Sequence, residues 1–226
     1  MKSAVVWGGA ILLALLWSAP WAQAKEPEYI GVPGCTSKCH KKEDDGDQRS
    51  AWEKSKHAKA FENLASKEAK ERAQKAGVTT DPQKTEACLV CHTTGYGLDK
   101  SRFNKKFKLE QGVQCESCHG PGGDYKKKKT MRLIVRERGP DGKKESATAK
   151  KVGLTFPDEK SCKTCHAPET TYKGKTFKNP SWKEDFDFKK QNEEMKHPVP
   201  DAHKKKILEG GGAEEKDEKE EEEEEK

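Results

Sequence analysis

Cys35-Thr-Ser-Lys-Cys39-His40, Cys88-Leu-Val-Cys91-His92, Cys115-Glu-Ser-Cys118-His119 and Cys162-Lys-Thr-Cys165-His166 are the stretches whose reading decides the fold. Three read C-x-x-C-H, and the first carries one extra residue. In this pattern two thiols add to the vinyl groups of one haem and the adjacent histidine is placed beneath the ring to bind iron, so the macrocycle dictates the spacing. The extra residue within Thr36-Ser37-Lys38 is expected to bulge outward without moving either thioether. Disulfides, a Cys-rich zinc site and thioredoxin-like redox pairs also use paired cysteines. None requires a histidine after every second cysteine, and the four clusters consume all eight cysteines. The expectation is four covalently bound haem c groups, attached through Cys35, Cys39, Cys88, Cys91, Cys115, Cys118, Cys162 and Cys165. His40, His92, His119 and His166 are then the proximal iron ligands.

Working outward, the composition agrees with that load. The 226 residues are 31% hydrophobic and 37% charged, with a mean hydropathy of -1.12. That is too polar for an ordinary globular core of this size. Porphyrin faces supply the missing apolar surface, so the expected fold class is mostly α. The chain reads as a small helical multihaem cytochrome with little sheet, its core built around the four haems.

Lys2, the apolar run Ala4 to Trp17 and the small-x-small sequence Ala22-Gln23-Ala24 read as a secretory signal peptide over residues 1–24. An uncleaved anchor is the alternative, but the run is shorter than the roughly 20 residues a spanning helix needs. The haem domain is expected over 25–209 in a periplasmic or otherwise extracytoplasmic space, with no membrane span once the signal is removed. Residues 210–226 form a Gly-rich and acidic tail, expected to be disordered because a run of like charge does not pack. Ala213 to Lys226 holds ten acidic and three basic residues, or -7, whereas Lys25 to Gly212 holds 41 basic and 29 acidic, or +12. A basic body suits redox partner proteins of acidic character. In this compartment the Lys126 to Lys129 run reads as a solvated face or such a dock, not a nucleic-acid patch.

Seven histidines constrain the iron chemistry. Four are proximal, so three remain for four sixth positions. At least one haem in an isolated chain is therefore five-coordinate, methionine-ligated, or completed by another molecule, an oligomer included. His57 falls in a stretch where Ser50 and Glu53 read as a capping box opening a helix that Gly77 closes. His57, Ala60, Phe61 and Leu64 lie on one face of it. His197 falls at the end of a second helical stretch, capped by Ser181 and Glu184 and ended by Pro198. Both are expected as distal ligands, against the alternatives of a core histidine and a helix C-terminal one. His203 has no apolar neighbour before Ile207 and is either a further distal ligand or solvated. Met131 and Met195 are iron ligands or apolar filler. The stretch from Arg132 through Gly139-Pro140-Asp141-Gly142 reads as a surface hairpin.

On these residues the chain resembles the tetrahaem cytochrome c-554 family. The resemblance rests on Tyr29-Ile-Gly31, Trp52 to Ala60, the Gly112 to Gly123 segment around the third motif, and Phe186-Asp-Phe188 through His197-Pro198-Val199-Pro200. It implies a mostly helical fold, closely packed parallel and perpendicular haem pairs, commonly one five-coordinate haem, and His57 and His197 as distal ligands. Relatives usually place a histidine shortly after the Gly-Pro-Gly element. This chain has Asp124-Tyr125-Lys126, leaving His203 as substitute, a second open haem, or Tyr125 approaching iron.

No acid-base or nucleophilic constellation independent of haem is visible. The expected function is electron transfer between redox partners through closely packed haems. The alternatives are a haem enzyme reducing a small nitrogen or oxygen species at an open iron, and a subunit of a haem-wire assembly.

Overall fold

The structure, a computed structural model, describes residues 26–37 and 39–210. The signal-peptide reading of 1–24 and the acidic tail from Gly211 onward lie outside the described residues. The described chain is mostly helical, as the composition and motifs lead one to expect. Its helices are α1 (Gly31–Cys35), α2 (Gln48–Lys54), α3 (Ala60–Asn63), α4 (Lys67–Lys75), α5 (Glu86–His92), α6 (Cys115–His119), α7 (Lys128–Arg138), α8 (Ala147–Lys151), α9 (Glu159–Lys163), α10 (Phe188–Met195) and α11 (Asp201–Glu209). One two-stranded antiparallel sheet, β1 (Glu169–Tyr172) with β2 (Lys175–Lys178), stands between α9 and α10.

The helices are short, and helices of this length are marginal alone in water. Their ends are therefore fastened by side chains. Ser66 accepts from Ala69 N at 3.1 Å, Asp187 from Lys190 N at 3.0 Å, and Asp158 and Ser161 form a reciprocal capping box on α9. Each such cap is worth about 1 kcal/mol.

The apolar core is thin. Eleven hydrophobic residues are buried among the described ones, and they are scattered in sequence from Ile30 to Ile207. A small cluster of Tyr125, Ile134, Ala149 and Leu154, with Met131 and Val152 against it, joins α7 to α8. A second apolar group is aromatic: Phe103 stacks on Phe107 at 4.4 Å between ring centres, and Tyr29 packs against Phe103 at 5.7 Å.

Three local expectations are corrected. The helix expected from Ser50 to Gly77 is three helices, α2 to α4. Asp47, not Ser50, caps the first, its carboxylate accepting from Ser50 N at 3.3 Å. The chain turns extended at Ser55, and His57 sits in the turn that follows. That turn is held from outside, because the His57 carbonyl accepts from Val113 N at 3.0 Å as well as from Ala60 N at 3.1 Å. The second expected helix begins at Phe188 instead of Ser181, so Trp182 and Phe186 precede it and His197 lies two residues beyond its end. The segment read as a hairpin at Arg132 to Arg138 is α7, because Ile134 needs a helical face to enter the Tyr125 cluster. The hairpin is at β1–β2, where Lys173 and Gly174 both have positive φ, the signature of a type I′ two-residue turn.

Candidate haem-binding site

All eight cysteines are reduced and half-buried. The second and third motifs lie wholly on helices: Cys88, Cys91 and His92 on α5, and Cys115, Cys118 and His119 on α6. One helical turn separates thiols three residues apart and sets the histidine beside the second. The fourth motif starts on α9 with Cys162 and runs through a turn to His166. In the first, Cys35 is the last residue of α1, and the expected outward bulge is divided. Ser37 is exposed, whereas Thr36 is buried at 2% exposure and its hydroxyl donates to Val32 O at 2.8 Å. Threonine turns inward because its hydroxyl finds a helix carbonyl there.

Thiols of different motifs adjoin. The Cys35 and Cys115 thiols lie beside one another, and this proximity raises Cys35 and lowers Cys115. Cys91 and Cys165 do the same, raising Cys91 and holding Cys165 at about 7. Burial, then the neighbouring Cys162, Cys115 and Cys165, push the Cys118 thiol up to about 11. The first motif thus meets the third, the third meets the fourth, and the fourth meets the second. The β1–β2 hairpin helps to close the last junction. Asn179 Nδ2 donates to Cys165 O at 3.0 Å beside the fourth motif, while Lys175 pairs with Glu86 of α5 at 2.8 Å beside the second.

The histidines are held in the form that binds a metal. His92 Nδ1 donates to Ala60 O at 2.8 Å, His119 Nδ1 to Thr155 O at 3.0 Å and His197 Nδ1 to Met195 O at 2.8 Å. His40 Nδ1 meets Gln48 Oε1 at 2.9 Å, and Gln48 turns its amide nitrogen to Asp45 O. A carbonyl only accepts, so Nδ1 carries the proton and Nε2 keeps its lone pair for iron. Burial pushes His57, His119 and His166 below the ordinary histidine range, so none needs to lose a proton at neutral pH before ligating.

Two pairs of rings stand face to edge at a telling distance. His57 and His166 have ring centres 6.0 Å apart, as do His119 and His197. An imidazole nitrogen lies about 2 Å from its metal, which sets the centres of two rings on opposite sides of one ion roughly 6 Å apart. The residues present therefore fit haem: paired thiols followed by a histidine in each motif, tautomers fixed for ligation, and imidazoles paired at the span of one iron. His203 Nδ1 meets Asp45 Oδ1 at 2.9 Å. The Tyr125 hydroxyl turns to the carbonyls of His119 and Gly120, at 3.1 and 2.6 Å.

The residues that hold this arrangement were less visible in the sequence than its ligands. Gln48 fixes the proximal His40. Phe186 stacks on His166 with ring centres 4.7 Å apart. Glu116, inside the third motif, is 3% exposed and accepts from Ile30 N, Gly31 N and Gly122 N at 2.8, 2.8 and 2.7 Å. Trp52 Nε1 donates to Val113 O at 2.8 Å, tying α2 to the segment before the third motif.

Known proteins bear on this geometry. Residues 35–120 match the family described as cytochrome c554 and c-prime. The chain is 32% identical to cytochrome c-554 of Nitrosomonas europaea over 162 residues, which is 69% of this chain and 63% of that protein. It thus spans somewhat less than two thirds of that relative's length. The reduced-state structure of cytochrome c554 from Nitrosomonas europaea superposes with a TM-score of 0.53 at 28% identity, over 77% of this chain and 86% of that one. Motifs, ring pairs and relatives agree: the chain belongs to the cytochrome c-554 family and is a c-type cytochrome with covalently bound haem.

Proposed function

We propose that the protein is a periplasmic tetrahaem electron carrier, passing electrons between redox partner proteins along a row of haems. The observation that carries this reading is the contact order of the motifs, first to third to fourth to second. Haem supplies a one-electron couple when bound, and the peptide supplies placement, axial ligation and local electrostatics. Cys35 beside Cys115, Cys118 near Cys162, and Cys91 beside Cys165 bring neighbouring attachment points together. The +12 balance of Lys25 to Gly212 favours acidic partners. Among the described residues no helix is long and apolar enough to cross a membrane.

The test pairs mass with kinetics. Intact mass of the purified holoprotein should exceed the mature polypeptide by four haems. Mixing with a reduced donor protein and then an oxidised acceptor should reduce and reoxidise all four without consumption of a small substrate. Three haems would remove the first motif from the row. Sustained consumption of nitric oxide, nitrite or peroxide would replace the carrier with an enzyme.

A further inference from the structure

The described geometry distributes the seven histidines unevenly over the four motifs. His57 faces His166, and His197 faces His119, so the fourth and third motifs each have two imidazoles at the span of one iron. One histidine outside the motifs remains, His203, for the first and second. It is linked to the first motif only through Asp45 and Gln48. His203 Nδ1 donates to Asp45 Oδ1 at 2.9 Å, the Asp45 carbonyl accepts from Gln48 Nε2 at 2.8 Å, and Gln48 Oε1 accepts from His40 Nδ1 at 2.9 Å. This relay reaches His203 from the Nδ1 of His40, not from the Nε2 left for iron, and among the described residues His203 makes no ring pair like those of His57 with His166 and His197 with His119.

The placement is fixed by packing. The Pro198 to Pro200 segment leading into α11 lies so close to Gly46 that a Cβ there would meet Pro198 O at 2.7 Å. The second motif is at the other end of the row, beyond the third and fourth. The remaining side chains with ligand chemistry near the first motif are committed elsewhere. Met131 packs on the Tyr125 and Ile134 cluster, and the Tyr125 hydroxyl serves two backbone carbonyls.

Resting on the tetrahaem reading, and beyond the one open haem common in the family, we infer that the haem of the first motif also has a single histidine ligand, so that the two outer haems have one and the two inner ones two. Both ends of the row then offer a coordination position to a small exogenous ligand such as carbon monoxide, cyanide or imidazole. The open position opposite His40 is a property of this chain's own residues, because its last spare histidine is tied to Asp45 and makes no ring pair with His40 among the described residues.

Low-temperature electron paramagnetic resonance of the oxidised holoprotein, quantified against haem content, should give two low-spin and two high-spin irons. Carbon monoxide titrated into the reduced protein should bind at two per four haems. His203→Ala should leave both numbers unchanged, whereas His57→Ala and His197→Ala should each add one high-spin iron and one carbon monoxide site. A third low-spin iron in the unsubstituted protein, whichever residue supplies it, overturns the inference. So does a single carbon monoxide site, or a third site created by His203→Ala. The unsubstituted counts stand without any variant. Intact mass separates the two levels: four haems with three low-spin irons defeats this inference alone, and three haems defeats the tetrahaem reading beneath it.

Discussion

Glu116 occupies one of the two variable positions of a haem-attachment motif and also joins that motif to the start of α1. Its carboxylate receives three backbone amides, two from Ile30 and Gly31 and one from Gly122. Burial raises its carboxyl above the ordinary range, and the three donors act the other way by favouring the ionised form. Hydrogen bonds to a charged group are individually stronger than neutral ones, and a buried donor left unpaired costs about 1–3 kcal/mol. Glu116→Ala is therefore expected to destabilise the holoprotein by about 3 kcal/mol or more, and Glu116→Gln by less because an acceptor oxygen remains. Denaturant midpoints measure both, and an unchanged midpoint for the alanine variant would show that the amides find other partners. The sequence hides this role. Its partners at Ile30 and Gly31 lie 86 and 85 residues away, so no local pattern separates this glutamate from the many exposed ones.

The haem chemistry dictates attachment points, and tertiary contacts dictate helices. The C-x-x-C-H spacing marked the attachment points on α5 and α6 but not the helices themselves, since the fourth motif has the same spacing and leaves its helix after Lys163. His57 and His197 were legible as residues, but their local structure was not. His57 leaves the helix because its carbonyl bonds to Val113, a contact formed only once Gly112 has brought that segment alongside. Gly112 has φ +74, and a Cβ there would meet His57 O at 2.7 Å and Ala58 O at 3.2 Å, both backbone atoms. Gly112→Ala should therefore cost about 2 kcal/mol or more through strain in a glycine-favoured conformation, and should weaken the low-spin signal of the iron proposed to bind His57. Gly77→Ala is the comparison, with φ +76 but no atom within 4 Å of the added carbon. It should lower stability modestly and leave the spin count alone. Equal spectra for the two variants would detach Gly112 from His57. The hairpin expectation at Arg132 to Arg138 failed for a similar reason: Gly-Pro-Asp-Gly does mark a turn, but Ile134 and its neighbours answer to the Tyr125 cluster before it.

At the scale of the molecule, the composition announced a fold whose core is not made by side chains, and the thin scatter from Ile30 to Ile207 agrees. Charge is the other global feature. The four haems proposed, ferric and with two propionates each, would subtract roughly four charges from a body of +12. Association with an acidic redox partner should consequently slow as ionic strength rises from about 0.01 to 0.15 M, where the Debye length falls from about 30 to 8 Å. Stopped-flow rates independent of salt would remove the acidic partner from the proposal. The contact order of the motifs has a further consequence for biosynthesis. Synthesis delivers the first three motifs before the fourth, yet in space the fourth lies between the third and the second. A chain interrupted after His119 holds one joined pair and one stranded member. In the proposed carrier the circuit is completed by the last component to arrive, so an unfinished molecule would be electrically broken in its middle.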